Sequence, residues 1–176
     1  MTVCKTAIAA IALLAASGCT TMAPRGGDQV GAATLIDASG RTVGTARLYS
    51  RAGEVSIAVA LQGLPAGTHG VHLHTTGNCS SADFSSAGGH LNPASMQHGS
   101  HNPQGAHLGD LPNIQIGANG SGDMRASLRG NDAAGLAHIF DADGTAIVVH
   151  AGADDYNTDP SGNSGSRIAC GVFSRS

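Results

Sequence analysis

Short β-like runs separated by turn residues are the feature that most constrains the fold of this chain. After the first 18 residues, no amphipathic segment of helical period is longer than about ten residues. Strand-forming residues instead recur in seven segments: 32–36, 42–49, 55–61, 70–74, 113–116, 124–128 and 146–150. Turn formers such as Asn119-Gly120 and Asp143-Gly144 separate them. The pattern predicts an all-β domain, a Greek-key sandwich or flattened barrel.

Two long stretches interrupt this pattern, at residues 75–112 and 151–166. Both are dense in Gly, Ser, Asn, Pro and Asp and have no periodic apolar face. A loop of that length in a compact domain needs a functional or covalent reason. The first carries Cys79 and four histidines, and the second begins directly after His150. We therefore expect two long functional loops.

The amino terminus has the pattern of an export signal. Residues 1–18 contain Lys5 followed by an apolar run that is too short to span a membrane. The segment ends in Ala16-Ser17-Gly18-Cys19, which resembles the lipobox of bacterial lipoproteins, in which the cysteine becomes the lipidated first residue. Ordinary signal cleavage at another small residue is the alternative. Both alternatives place the domain outside the cytosol.

Export also sets the domain boundaries and the charge. Residues 19–29 are polar and contain Pro and Gly, which predicts a flexible tether before a domain at 30–176. Removal of Lys5 from the 9 basic residues leaves 8 against 12 acidic ones, a net charge of −4. No basic surface for nucleic acid is expected.

The cysteine count points to a single disulfide. Cys4 leaves with the signal and Cys19 would carry lipid, so Cys79 and Cys170 remain. In an oxidising compartment, two remaining cysteines are expected to pair.

The first histidine pattern lies on a predicted strand. His72 and His74 are two residues apart, so their side chains point to the same face and can share one metal ion. A polar pair on a solvent-facing strand is the alternative for this spacing. His150 ends the last apolar strand, and nothing in the local sequence explains its side chain.

The second histidine pattern lies in the first long loop. His90, His98 and His107 are followed by Asp110, and three imidazoles with one carboxylate form a closed tetrahedral set suited to structural zinc. Bound zinc would supply the free energy that orders this loop. A solvated histidine-rich loop is the alternative.

Several motifs, in this order along the chain, resemble a known family. They are Gly70-Val71-His72-Leu73-His74, Gly88-Gly89-His90-Leu91-Asn92-Pro93, Gln97-His98-Gly99, His107-Leu108-Gly109-Asp110-Leu111-Pro112-Asn113, Val149-His150 and Gly162-Asn163-Ser164-Gly165-Ser166-Arg167-Ile168-Ala169-Cys170-Gly171. Together they resemble copper/zinc superoxide dismutase, over residues 32–173. The sequence Asp-Leu-Pro-Asn and the lipoprotein signal are similar to the bacterial periplasmic branch.

The resemblance implies two metal ions that share one ligand. The implied copper ligands are His72, His74, His90 and His150, and the implied zinc ligands are His90, His98, His107 and Asp110. His90 would bridge the two metals. Turnover of superoxide to oxygen and hydrogen peroxide needs a metal with two oxidation states, which copper provides and zinc does not.

The resemblance also implies roles for residues that are not ligands. Asp154 matches a carboxylate that links the free ring nitrogens of His72 and His98. Arg167 matches the guanidinium that attracts and positions superoxide, and it acts as a catalytic residue together with the bridging His90. The disulfide between Cys79 and Cys170 would tie the metal loop to the last strand.

Three histidines lie outside the implied ligand set. His69 is expected to be hydrogen-bonded inside the sandwich, whereas His101 and His138 are expected at the surface. Because His101 lies in the zinc loop, a ligand role for it stays open.

Other functions and partners are weighed against this interpretation. A copper-buffering module on the same fold is the main rival, but a cation at Arg167 beside a cationic metal favours catalysis on an anion. Zinc-dependent hydrolysis is disfavoured, because it would need a free carboxylate base near an open zinc position and the sequence offers none. The expected location is the periplasm, with lipid on Cys19 as the membrane anchor at the outer membrane. The sequence leaves a homodimer open.

Overall fold

The computed structural model describes residue 1 and residues 27–129 and 133–176. The predicted signal, Cys19 and most of the predicted tether lie outside the described residues. Within the described part, the elements are β1 (Asp28–Asp37), β2 (Thr42–Arg51), β3 (Glu54–Leu61), β4 (Gly67–His69), β5 (Val71–His74), β6 (Ile114–Ile116), β7 (Gly122–Ser127), α1 (Ala133–Ile139), β8 (Ala146–His150), β9 (Arg167–Val172) and β10 (Ser174–Arg175), with a 3-10 turn at Ser85–Ala87. Among the residues described, no helix has the length and apolar character needed to cross a membrane.

One curled antiparallel sheet forms most of the domain. Its strand order is β5-β8-β9-β1-β2-β3-β7, with β10 added beside β1, and β4 pairs with β6 in a second small sheet. Strand β3 shows how the core is made, because Val55, Ile57, Val59 and Leu61 are each at most 3% exposed, whereas Glu54 and Ala60 face solvent. This period of two buries one face of each strand. The predicted all-β Greek-key class is confirmed.

Strand β9 was not among the predicted segments. Its residues include Ala169 and Gly171, which form strands poorly on their own, but the ladder with β8 on one side and β1 on the other supplies the pairing. Strand β1 also begins earlier than expected. Asp28 and Gln29 pair with Ser50 and Tyr49 of β2, so these two residues belong to the sheet and not to the tether.

Both long loops lie where the sequence places them. Between β5 and β6 the described chain contains only the short 3-10 turn and isolated bridges, and residues 151–166 contain no strand. The disulfide between Cys79 and Cys170 ties the first loop to β9 across a sequence separation of 91. Closing a loop of that length stabilises the fold by about 4–5 kcal/mol on the chain-entropy account. The two histidine patterns therefore lie on the strands of the sheet and in a loop that is cross-linked to it.

Candidate metal centre

Four histidines converge where β5, β8 and the first loop meet. His72 and His74 lie on β5 opposite Val148 and Ala146 of β8, and His150 ends β8. His90 reaches the same place from the loop, through an isolated bridge to His74. One ligand atom from each of these four buried side chains lies within 4.8 Å of the others. The fold thus brings together all four residues that the resemblance implied as copper ligands.

Hydrogen bonds leave one nitrogen free on three of these rings. His72 Nε2 donates to Asp154 Oδ2 at 2.8 Å, His74 Nδ1 donates to the Gly88 carbonyl at 2.9 Å, and His150 Nδ1 donates to the Gly165 carbonyl at 3.1 Å. Each bond fixes the proton on the bonded nitrogen and leaves a lone pair on the other.

The second nitrogens of these three rings and one nitrogen of the fourth ring have no hydrogen-bond partner although they are buried. These four atoms are His72 Nδ1, His74 Nε2, His150 Nε2 and, on the fourth ring, His90 Nε2. Buried polar atoms without partners are rare in proteins and require an explanation. Four imidazole lone pairs that face one another fit a copper ion, because imidazole is a ligand that copper favours.

The pKa values of these histidines keep the lone pairs available. Burial is the main cause, and it lowers the pKa of His72 to about 3, that of His74 to about 2 and that of His150 to about 4. Burial lowers the pKa of His90 as well. The rings are therefore neutral at physiological pH, as metal ligands must be.

A second donor set adjoins the first at Asp110. Its Oδ1 lies 3.0 Å from His90 Nδ1, 3.1 Å from His98 Nδ1 and 3.1 Å from His107 Nδ1. His98 Nδ1 has this short contact without hydrogen-bond geometry and counts among the unpartnered buried atoms. Three imidazole nitrogens around one carboxylate oxygen fit a tetrahedral zinc site.

His90 belongs to both donor sets. Its Nδ1 faces Asp110 and its Nε2 is one of the four unpartnered nitrogens of the first set. The ring of His90 stacks on that of His72 with centroids 4.0 Å apart. A single imidazole therefore lies between the two sites, with one nitrogen directed at each.

The electrostatics of the second set favour positive charge. Burial alone would raise the pKa of Asp110, but hydrogen bonds from His107 and His90, together with the close contact of His98, outweigh it and hold that pKa far below its usual range. Burial would likewise lower the pKa of His98, but its close contact with the Asp110 carboxylate and its hydrogen bond to Asp154 raise it to about 9. Asp110 Oδ2 is held by the backbone N–H groups of Gly99 and His107 at 2.9 and 3.0 Å, which orients Oδ1 toward the rings.

Asp154 connects the two sets from the second loop. Its side chain is fully buried and its oxygens accept from His72 Nε2 at 2.8 Å and His98 Nε2 at 3.0 Å. Burial would raise its pKa, but these hydrogen bonds keep it lowered and the carboxylate ionised. Gly162 packs against this carboxylate at φ +63, and a Cβ there would overlap Asp154 Oδ1 and lie 2.7 Å from His98 Nε2. A residue without a side chain is required at this position.

Arg167 lies at the start of β9, opposite His150 in the ladder. Its guanidinium is partly buried and donates to the carbonyls of Phe84 and Gly88, both at 2.6 Å. The Gly88 carbonyl also accepts from His74, so one peptide oxygen joins the arginine to a histidine of the first set. Burial lowers the pKa of Arg167, but an arginine remains charged at any working pH.

The remaining histidines belong to neither donor set. His69 is buried, and its ring nitrogens contact the carbonyls of His150 at 2.7 Å and Pro65 at 3.0 Å, so the expected hydrogen bonding inside the sandwich is confirmed. His101 and His138 are exposed, as predicted. The ring of His101 packs edge-on against Tyr156 with centroids 5.3 Å apart.

Sequence reasoning gave no role to three groups that hold the centre together. These are the Gly88 carbonyl, the Asn113 side chain and Gly162. Asn113 belongs to the Asp-Leu-Pro-Asn motif quoted above, which draws attention to this residue. Its hydrogen-bond partner, Asp154, is 41 residues away, so the sequence alone does not reveal its role.

Comparison with known proteins agrees with this geometry. Residues 42–173 match the copper/zinc superoxide dismutase family. A superoxide dismutase-like protein of Bacillus subtilis is 41% identical over 143 residues, which covers 79% of this chain and 73% of that protein. A copper/zinc superoxide dismutase of Caulobacter vibrioides is 40% identical over 140 residues, covering 76% and 79% of the two chains.

Solved structures show the same fold. The crystal structure of a superoxide dismutase-like protein from Bacillus subtilis superimposes with a TM-score of 0.72 at 38% identity, over 80% of this chain and 96% of that one. The Brucella abortus copper/zinc superoxide dismutase superimposes with a TM-score of 0.63 at 27% identity, over 80% and 97%. The chain therefore belongs to the copper/zinc superoxide dismutase family, oxidoreductases that use copper and zinc to convert superoxide to oxygen and hydrogen peroxide.

Proposed function

We propose that the four unpartnered nitrogens of the first donor set, on His72, His74, His90 and His150, hold copper and that His90, His98, His107 and Asp110 hold zinc. The observation that carries this assignment is that four buried lone pairs from three separate chain segments face one another. Copper bound there supplies the one-electron redox chemistry that oxidises one superoxide to oxygen and reduces a second to peroxide. Zinc, without redox chemistry, orders the first loop.

His90 is suited to carry a proton during this reaction. Two superoxide ions and two protons yield one oxygen and one hydrogen peroxide, so the peroxide half consumes protons. His90 Nε2 faces the copper set while Nδ1 is held at Asp110. The ring therefore keeps its place through the Nδ1 side when Nε2 takes up or releases a proton.

Arg167 is proposed to bind superoxide. Its two terminal nitrogens are fixed by the carbonyls of Phe84 and Gly88, so the guanidinium cannot swing away from the histidines. Since this chain has no lysine beyond Lys5, Arg167 supplies the fixed positive charge at the site. A small anion is attracted there and held beside the copper set.

The copper assignment is tested by reconstitution of the metal-stripped protein. Superoxide decay after pulse radiolysis should be fast with protein that carries copper and zinc, and no faster than the buffer with protein that carries zinc alone. Protein with copper bound in full but no acceleration of superoxide decay would contradict the proposal.

The same proposal covers where the protein works. We infer export by residues 1–18, lipidation of Cys19 and a periplasmic domain anchored to the outer membrane through the tether. The support is the sequence of the signal and of Ala16-Ser17-Gly18-Cys19. Cys19→Ser should move the protein to the soluble periplasmic fraction with unchanged specific activity, whereas Cys4→Ser should leave membrane fractionation intact. Membrane association of the Cys19 variant would contradict the anchor.

A second copy of this chain is the remaining partner to be tested, since the sequence leaves a homodimer open. Sedimentation velocity on the Cys19→Ser protein distinguishes the mass of one chain from that of two. A single species at twice the mass of one chain supports the dimer, and a single species at the monomer mass contradicts it.

A further inference from the structure

The backbone of Asp154 is held by the side chain of one residue, Asn113, which directly precedes β6. Asp154 lies in residues 151–166, which contain no strand, yet its carboxylate must be placed accurately to reach two histidines. Asn113 Nδ2 donates to the Asp154 carbonyl at 2.9 Å, and Asn113 Oδ1 accepts from the Asp154 N–H at 2.8 Å. The amide thus engages both polar groups of the Asp154 main chain, as a neighbouring strand would.

Asn113 is itself anchored in the core. It directly precedes β6, in which Ile114 and Ile116 are each 1% exposed, and it follows the buried Leu111 by two residues. Strand β6 also pairs with β4. A side chain at the start of such a strand has little freedom to move, so the two hydrogen bonds transfer the rigidity of the core to the second loop.

Two further hydrogen bonds link Asn113 to the Asp154 carboxylate through Tyr156. The Asn113 backbone N–H donates to the Tyr156 hydroxyl at 2.8 Å, and the Tyr156 backbone N–H donates to Asp154 Oδ1 at 2.7 Å. Asn113 therefore reaches Asp154 both directly, at the main chain, and through Tyr156, at the carboxylate.

We propose that Asn113 is a positioning residue for the metal centre, acting on zinc affinity through Asp154. Its amide fixes the Asp154 backbone, and the fixed carboxylate then holds the Nε2–H of His98, so that His98 Nδ1 stays directed at Asp110. Outer hydrogen bonds of this kind commonly contribute 10–100-fold to metal affinity. The inference rests on the proposed assignment of zinc to the Asp110 set.

Zinc affinity of the purified protein tests the proposal, measured by competition with a chromogenic chelator. Asn113→Ala should weaken zinc binding by about tenfold. Asn113→Asp keeps the size of the side chain and the acceptor for the Asp154 N–H but loses the donor to the Asp154 carbonyl, so its zinc affinity should also fall. Asn157→Ala is the matched control, because Asn157 is exposed in the same loop as Asp154 and its side chain makes no hydrogen bond to the described residues.

A double-mutant cycle separates positioning from general stabilisation. If Asn113 acts through the Asp154 carboxylate, Asn113→Ala should change zinc affinity by less than about twofold in an Asp154→Ala background. An equal loss in both backgrounds, or parental zinc affinity in both Asn113 variants, would overturn the proposal. Asp110→Ala tests the zinc assignment itself. Parental zinc affinity in that variant would mean that zinc binds elsewhere.

Discussion

Replacing Asp154 by Asn should weaken copper binding more than zinc binding. The carboxylate accepts from His98 and the Tyr156 N–H at Oδ1, and from His72 at Oδ2. An asparagine side chain has only one acceptor oxygen. This oxygen should occupy the place of Oδ1, because two donors, His98 and the Tyr156 N–H, point there. The amide NH₂ group then faces His72 Nε2, donor against donor.

His72 can relieve that conflict by moving its proton to Nδ1. That atom is one of the four unpartnered nitrogens of the copper set, so copper must then displace a proton. A lost hydrogen bond to a charged group costs about 1.5–3 kcal/mol, which corresponds to a 10–150-fold weaker copper affinity, using about 1.4 kcal/mol for each factor of ten.

Copper titration of the zinc-loaded protein against a competing chelator measures this loss. Asp155→Asn is the control, since Asp155 is the neighbouring exposed carboxylate and its hydrogen bonds among the described residues go to groups of its own loop, such as Thr158 and Asn163. Parental copper affinity in a folded Asp154→Asn protein would refute the reasoning.

Three further predictions concern the copper side of the centre. His150→Ala should remove copper and activity but retain zinc, because His150 Nε2 belongs to the copper set alone; metal analysis that shows zinc lost would contradict this. Metal-free protein should lose stability as the pH falls from about 6.5 toward 4, since His72, His74 and His150 bind protons in the unfolded chain but, with pKa values of about 3, 2 and 4, stay neutral when folded. At pH 5 this amounts to about 2 kcal/mol for each histidine, and equal urea midpoints at pH 7 and pH 5 in chelator would count against it. Arg167→Ala should lower the second-order rate with superoxide about tenfold and flatten its salt dependence, with Arg167→Lys less affected; a parental rate at equal copper content would show that another residue guides the anion.

The sequence was most informative where residues close in the chain act together. The period of two in residues 55–61 predicts β3 with its buried face, and the spacing of His72 and His74 predicts that both rings lie on one side of β5. His107 and Asp110 are three residues apart, a spacing that lets both side chains of one loop reach the same zinc ion. In each case the chain folds locally in a way that the spacing alone determines.

Residues that meet only through the sheet could not be found in that way. His72 and Asp154 are 82 residues apart, and Arg167 lies beside His150 only because β8 and β9 pair. Family resemblance supplied these residues, since no local pattern distinguishes Asp154 from the exposed Asp155. Strand β9 was missed for a related reason, because Ala169 and Gly171 form a strand only with β8 and β1 on either side.

Anomalous diffraction from crystals of the copper- and zinc-loaded protein is the most direct test of the proposed centre. Data collected on both sides of the copper and zinc absorption edges should show two peaks on opposite sides of the His90 ring. The copper peak should contact His72 Nδ1, His74 Nε2, His90 Nε2 and His150 Nε2, and the zinc peak should contact Asp110 and the Nδ1 atoms of His90, His98 and His107. A single metal, or a copper peak that lacks His90 or His150 in the oxidised protein, would contradict the assignment.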